Sequence, residues 1–517
     1  MNATSLPLRT RALGCERPSA LATLFLALLL PACSAFIRVP GGLPPVPDEV
    51  LSRHFSPAEL ASDLDVLFAI IEEVHPDPYT VLARDESARR RAALVAGLDR
   101  SLLRREFQPS VADLVAALGD GHTSLHTPQD EWWRDPQGAA AALPLDVAWD
   151  GAALRVRRTI VVTEGGDFGP GATLLTINGQ PADALFRTFL TRQSGETDAW
   201  RATSVETSFA LHLWLEGVVA PFHVSFASAL DPSRRAGIDC DGYHWNALAR
   251  GAAPGGGERW CLQRRADNAA VLSLDTLAAD LADFEDFLEA TFEGLARSPP
   301  AALVVDLRRN GGGDSRLGDA LLQYLTDRPW RQAARKEWKA SDRYRAFLKT
   351  FLAPWLRWLP VQYLHPIGWK LWTTPAGGTA VFEMDLEEPR DEPLRWRGPL
   401  AVLIGPGTFS SAASLAAAVK DCGLALLAGE ETGGVCNAFG EVLPFELPAT
   451  RLRGQVSSAR FVRPSGDATQ LGGIVPDLVV RPEPGATGDP VLDEVVMHLL
   501  RPADPPPVGA TWHNPPP

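Results

Sequence analysis

From Ala270 to Ala428 the chain alternates short apolar runs with stretches of helical period, and nothing else in it restricts the fold as strongly. Ala270-Val-Leu-Ser-Leu274 reads as a strand, residues 281–297 as a helix, Ala302-Leu-Val-Val-Asp306 as a second strand and about 316–326 as a second helix. The strand Leu400-Ala-Val-Leu-Ile404, a helix from Ser410 to Cys422 and the strand Ala425-Leu-Leu-Ala428 continue the series. Strands alternating with helices predict an α/β layer, whose functional groups gather at the carboxyl ends of the strands. Asp306 and the turn Gly407-Thr-Phe-Ser410-Ser411-Ala-Ala413 both fall at such ends.

The second informative stretch is Leu118-Gly-Asp-Gly-His122-Thr-Ser-Leu125, a histidine in a tight glycine turn. A serine hydroxyl is a poor nucleophile at neutral pH and needs a base beside it, together with donors facing the developing oxyanion. His122 can be that base, and a serine where an extended run becomes a helix is a usual way to present a hydroxyl. Between the two lies Asp306-Leu-Arg-Arg-Asn-Gly311-Gly312-Gly313. Backbone N–H groups of Gly311, Gly312, Gly313 and Ser411 can serve as oxyanion donors, because glycine lets the main chain approach a substrate closely.

At 517 residues the chain is too long for one core and predicts several domains. A net charge of −14 argues against nucleic acid, which is bound through clustered Lys and Arg. Arg9, Arg11 and Arg17 precede the apolar run Ala20 to Leu30, which reads as an export signal and is short for a membrane span. Leu30-Pro-Ala-Cys33 resembles a lipoprotein box with lipidation at Cys33; cleavage after Ala35 is the competing reading. Either way the expected location is the periplasm or cell envelope, with membrane attachment, as in an outer-membrane lipoprotein, through a lipidated Cys33. Export gives meaning to Cys240, Cys261, Cys422 and Cys436, for which disulfides Cys240–Cys261 and Cys422–Cys436 are plausible and free thiols the alternative. Their spacing does not suit zinc, and neither metal nor cofactor is expected.

The expected organisation is a signal over 1–35, a linker over 36–55, a helical region over 56–130 and a β-rich module over 131–265. The α/β core takes 266–335 and 395–485, interrupted by a tryptophan-rich insert over 336–394, and 486–517 forms a C-terminal helix and disordered tail. Ser56-Pro-Ala-Glu59 is a capping box opening the first helix, with further helices near 86–104 and 109–118. In the module, Leu154 to Val162 has the period of a strand, and Gly169 to Leu185 reads as strand, glycine turn and helix. That piece looks like the part of a PDZ-type module where an exposed strand edge takes up a peptide. The insert carries Trp355, Trp358, Tyr363, Trp369 and Trp372, suited to a packed cap or to a lid or membrane-interface contact.

In this order the motifs Gly-Asp-Gly-His-Thr-Ser-Leu, Asp-Leu-Arg-Arg-Asn-Gly-Gly-Gly, Phe-Ser-Ser-Ala-Ala, Gly429-Glu-Glu-Thr-Gly-Gly434 and Gly473-Ile-Val-Pro-Asp477 resemble the tail-specific, or C-terminal-processing, serine peptidases. That family also includes the tricorn core peptidase and interphotoreceptor retinoid-binding protein. The resemblance covers about residues 56 to 500 without the insert. It implies an α/β peptidase core of the ClpP/crotonase type, an N-terminal helical region and a PDZ-like module. It also implies Ser410 as nucleophile, Ser411 as oxyanion donor and polypeptide substrates, unfolded or C-terminal segments among them.

The chain departs from the family at several positions. The branch with a Ser–Lys dyad has lysine where this chain has Val435, and Lys420 lies nearly three helical turns from Ser410. The resemblance is therefore to the branch lacking that dyad, with His122 as base. Where that branch places an orienting glutamate, spacing puts Gln470, and Asp120 or Asp467 are substitutes. Ala413 replaces a further glutamate. The reading is an exported serine endopeptidase acting through an acyl-enzyme on Ser410. The alternative is a catalytically inactive peptidase-like protein that binds a peptide tail or an apolar ligand.

Overall fold

The computed structural model describes residues 44–159, 169–245, 259–481 and 488–501. The signal segment with Cys33, residues 36–43 of the linker, Val162 and the tail lie outside the described residues, while the rest of the expected linker forms the short helix Asp48–Leu51 and the strand His54–Phe55, which pairs with Leu102–Leu103.

The α/β layer forms as the alternation predicts. A sheet in the order Trp260–Arg264, Ala269–Leu274, Ala302–Asp306, Leu400–Ile404, Leu426–Gly429, Leu478–Val479 has its first pair antiparallel and the rest parallel. Its central strands are nearly continuous apolar runs because both faces are covered, whereas the edge strand Trp260–Arg264 ends on exposed Gln263 and Arg264. On one face Leu303, Val305, Val402 and Ile404 pack against Phe284, Leu288 and Phe292 of the helix Leu281–Arg297 and Ala412 and Ala416 of the helix Ser411–Asp421. On the other, Val304, Ala401 and Leu403 meet Val491, Val495 and Val496 of the helix Pro490–Leu500. Each such Leu, Val or Phe contributes about 1.5–3 kcal/mol by leaving water.

The boundary between module and core differs from the expectation. Trp260–Arg264 was placed in the β-rich module, yet it pairs with Ala269–Leu274 as an edge of the core sheet. Cys240 and Cys261 consequently lie on strands of different sheets, and both they and Cys422 and Cys436 are free thiols, which corrects the two expected disulfides.

A second sheet brings the histidine turn to the core. It runs Thr379–Glu383, Arg335–Lys339, Arg453–Val462, Phe439–Glu446, and the short strand Ser124–Leu125 adds to it by pairing with Gly454 and Gln455. The ends of the expected insert are therefore strands of this sheet. The helix Pro57–Val74 starts at the capping box of Ser56 and Glu59 and packs its apolar stripe inward. Its buried Asp63 accepts from the backbone N–H groups of Ala449 and Thr450 and from Thr450 Oγ1, all at 2.6–2.9 Å.

The β-rich module is an antiparallel sheet, Leu145–Trp149, Leu154–Thr159, Thr173–Ile177, Phe222–Ala227, Arg235–Cys240, closed by the helices Ala182–Thr191, Asp198–Thr207 and Phe209–Leu215. Leu185, Phe186 and Phe189 bury against Val156, Leu174 and Val224. Thr173–Ile177 was expected to offer a free edge, but it is paired on both sides, and the sheet edges are Leu145–Trp149 and Arg235–Cys240.

Residues 342–373 cluster as a separate compact unit built on the helices Asp342–Thr350 and Pro366–Thr373. Trp355, Trp358 and Trp369 are exposed on it. Among the described residues no helix is long and apolar enough to cross a membrane.

Candidate active site

Ser410 follows the strand Leu400–Ile404 and directly precedes the helix Ser411–Asp421, with φ 52° and ψ −128°. A side chain with a Cβ rarely adopts this conformation, so the surroundings must impose it. They do so from several directions. Thr408 Oγ1, fully buried, donates to Leu307 O and accepts from Gly405 N, while Phe409 N donates to Asn310 O. Gly434 N donates to Thr408 O. The result is a sharp corner that presents the Ser410 hydroxyl at the end of a parallel strand.

His122 arrives from 288 positions earlier and places Nε2 2.9 Å from Ser410 Oγ. An imidazole nitrogen at that distance can take the hydroxyl proton. The ring stacks on Phe409 with centroids 4.7 Å apart and planes at 22°, and Trp200 of the β-rich module stacks on the same phenyl ring at 3.8 Å. Burial pushes the His122 pKa down, against the opposing pull of Asp120 and Glu441, which keeps the imidazole in the neutral form a base requires.

Asp120 organises the glycine turn. Its Oδ1 accepts from His122 N at 2.9 Å, and its Oδ2 accepts from Ser457 Oγ at 2.6 Å and meets His75 Nε2 at 3.0 Å. Asp77 N donates to His75 Nδ1, so the His75 proton is on Nε2, pointing at Asp120. Burial alone would raise the Asp120 pKa, but the hydrogen bonds from His75 and Ser457 outweigh it and hold the carboxyl well below its usual range. Asp120 Oδ1 stands 4.0 Å from His122 Nδ1, too far for a hydrogen bond.

A further acid enters from the module, between the helices Ala182–Thr191 and Asp198–Thr207. Carboxylate oxygens of Asp120 and Glu196 and a ring nitrogen of His122 come within 4.8 Å of one another. Both Glu196 oxygens are buried without a hydrogen-bond partner, and so is His122 Nδ1. Burial and the Asp120 charge push the Glu196 pKa up to about 8. This is the set of acid and imidazole groups, among the described residues, close enough to share a cation. Its donors suit one poorly, since both Asp120 oxygens are already engaged by hydrogen bonds and His122 Nε2 faces Ser410.

Gln470 is not brought to the imidazole. Its amide nitrogen donates to Gly473 O at 3.2 Å, its backbone carbonyl accepts from Asn437, and His122 Nδ1 has no partner. Asp467 is likewise engaged elsewhere, capping Thr469. His75, Glu196 and Ser457 were missed in the sequence, where none lies in a recognisable pattern.

The glycine loop lies against the serine corner. A Cβ built on Gly312 would stand 2.6 Å from Ser410 Cβ and 3.0 Å from Ser411 N, and Gly312 itself has φ +97°. Gly312 N donates to Asn310 Oδ1 and so shapes the loop, which removes it from the expected oxyanion donors. Buried Asn310 also donates to Leu274 O, tying the loop to the neighbouring strand. Among the described residues no acceptor engages the N–H groups of Gly311, Gly313 and Ser411. The Ser411 N–H belongs to the first turn of a helix, where donors have no intrahelical partner and favour negative charge.

Residues 269–480 match the family described as Peptidase family S41. Among solved structures, mature CPAF complexed with lactacystin superposes with a TM-score of 0.59 at 16% identity, over 86% of this chain and 97% of that one. A CPAF mutant gives 0.62 at 16% identity, over 86% and 96%. The photosystem II D1 C-terminal processing protease gives 0.44 at 17% identity, over 85% and 97%. At such identities the CPAF likeness is one of fold. No curated protein sequence matches the chain.

Proposed function

We propose that this chain, whose residues 269–480 match peptidase family S41, is a serine-type peptidase of the tail-specific kind that cuts polypeptides through an acyl-enzyme on Ser410 with His122 as general base. The single observation that carries this is the 2.9 Å contact between His122 Nε2 and the hydroxyl of a serine held at φ 52°.

Ser410 Oγ bonds to the substrate carbonyl carbon as its proton passes to His122 Nε2. The carbon–nitrogen bond then breaks, and His122 returns the proton to the leaving amine. Water, deprotonated by the same nitrogen, attacks the ester carbonyl and releases Ser410. The N–H groups of Ser411 and of Gly311 or Gly313 face the oxyanion, a contribution of about 3–4 kcal/mol per donor in comparable sites.

In this reading the core is crotonase-like, the β-rich module is PDZ-like and receives unfolded or C-terminal segments of substrate, and the chain is exported to the cell envelope. Its N-terminus is either lipidated at Cys33 or cut after Ala35. The absence of a hydrogen-bonded acid on His122 Nδ1 favours a second reading, a catalytically inactive relative that binds a peptide tail or apolar ligand.

Incubation with an unfolded polypeptide separates the two. Fragments that appear with the parent and not with Ser410→Ala support the peptidase; stoichiometric binding without fragments supports the second reading.

A further inference from the structure

We propose that Glu196, supplied by the β-rich module, is the positioning acid for His122, standing in for the carboxylate that Gln470 does not provide. The inference rests on the assignment of Ser410 and His122 as nucleophile and base. It starts from an imbalance. His122 Nδ1 is buried with no acceptor, and Glu196 presents two buried oxygens with no donor. Leaving such groups unmatched is costly, so a pairing between them is favoured as soon as geometry allows.

Of the two acids near the imidazole, Asp120 is already committed. It receives His122 N, Ser457 Oγ and His75 Nε2, and its approach to Nδ1 stops at 4.0 Å. Among the described residues Glu196 has no side-chain partner; only the backbone N–H groups of Gly121 and of Glu196 itself act on its carboxyl. Space is reserved for it as well: a Cβ on Gly121 would stand 2.7 Å from Glu196 Oε2, so the glycine beside His122 is what admits this carboxylate.

The segment carrying Glu196 is fastened to the serine corner. Thr197 Oγ1 donates to Gly433 O at 2.8 Å and accepts from Trp200 N at 3.1 Å, beginning the helix Asp198–Thr207. Trp200 then stacks on Phe409, next to Ser410. Glu196 is thus bracketed by contacts to the same turn that its imidazole serves.

The working form is the Glu196 carboxylate accepting from His122 Nδ1–H. It selects the tautomer with a free Nε2 lone pair towards Ser410 and balances the imidazolium that forms when Nε2 takes the hydroxyl proton. Asp120 and His122 face Glu196, with His75 behind Asp120 and Glu441 acting on His122. Burial and the Asp120 charge keep Glu196 protonated below about pH 8, so the working form grows in as pH rises through that value.

The test is the rate of Ser410 labelling by a fluorophosphonate across a pH series from neutral to alkaline, in the parent, Glu196→Gln and Glu196→Asp. In the parent the rate climbs through the alkaline limb. Glu196→Gln, isosteric and without an ionisable group, labels about a hundredfold more slowly at high pH and lacks the climb. Glu196→Asp restores the climb at an intermediate rate. Equal rates and identical pH profiles for parent and Glu196→Gln overturn the inference while leaving Ser410 assigned. A parent that does not label at all removes the assignment of Ser410 and this inference with it.

Discussion

Trp200 lies flat on Phe409, ring centroids 3.8 Å apart and planes 9° from parallel, so the β-rich module touches the residue immediately before Ser410. The same phenyl ring supports His122. Removing the indole withdraws one support of the stack and loosens the loop that carries Glu196. Trp200→Ala is expected to slow fluorophosphonate labelling of Ser410 about tenfold or more, since small misplacements near reacting atoms are costly. The expected loss of stability is smaller, about 1–3 kcal/mol by chemical denaturation, because Trp200 is only half-buried.

Gly312 combines a positive φ with contact to Ser410, so a methyl group there has nowhere to go. Gly312→Ala is expected to abolish peptide cleavage and to lower stability by about 1–3 kcal/mol, with secondary structure retained by circular dichroism. Gly377, also at positive φ but with open space around its Cβ position, is the control, and alanine there leaves cleavage unchanged.

Asp63 joins the first helix to the turn around Thr450 through three hydrogen bonds in a fully buried site. Asp63→Ala leaves two backbone N–H groups and a hydroxyl without an acceptor. The expected cost is about 2–4 kcal/mol in urea unfolding. Thr450→Val, which removes only the hydroxyl donor, should cost less.

The stability of the parent should fall as pH rises through the range set by Glu196. Its pKa is raised from 4.5 to about 8 by burial and Asp120, so the folded chain binds a proton that the unfolded chain has released. The stabilising contribution is complete below 4.5 and is lost as pH approaches 8, with a limiting slope of about 1.4 kcal/mol per pH unit from this group. Glu196→Gln removes that slope, which thermal melts of the two proteins at matched pH values will reveal.

The core was legible because strands buried on both faces leave continuous apolar runs, as in Ala302–Asp306, with stretches of helical period between them. Ser410 and His122 stand in glycine-rich turns that mark them locally. Glu196, His75 and Ser457 have no such mark. They reach the site through tertiary packing, His75 at the end of a helix, Ser457 in a strand and Glu196 from a loop of the module. Gln470 was placed by spacing alone, and spacing does not tell where a side chain turns; its amide goes to Gly473. The cysteine pairs failed for a related reason, since neighbours in sequence such as Cys240 and Cys261 belong to different sheets.

The central claim, an activated Ser410 served by His122, is tested most directly by intact-mass spectrometry of the mature protein after treatment with a fluorophosphonate. The account predicts one adduct, mapped to Ser410 by peptide sequencing, that disappears in both Ser410→Ala and His122→Ala. An adduct that persists in Ser410→Ala, or a folded parent that takes up none, would contradict it.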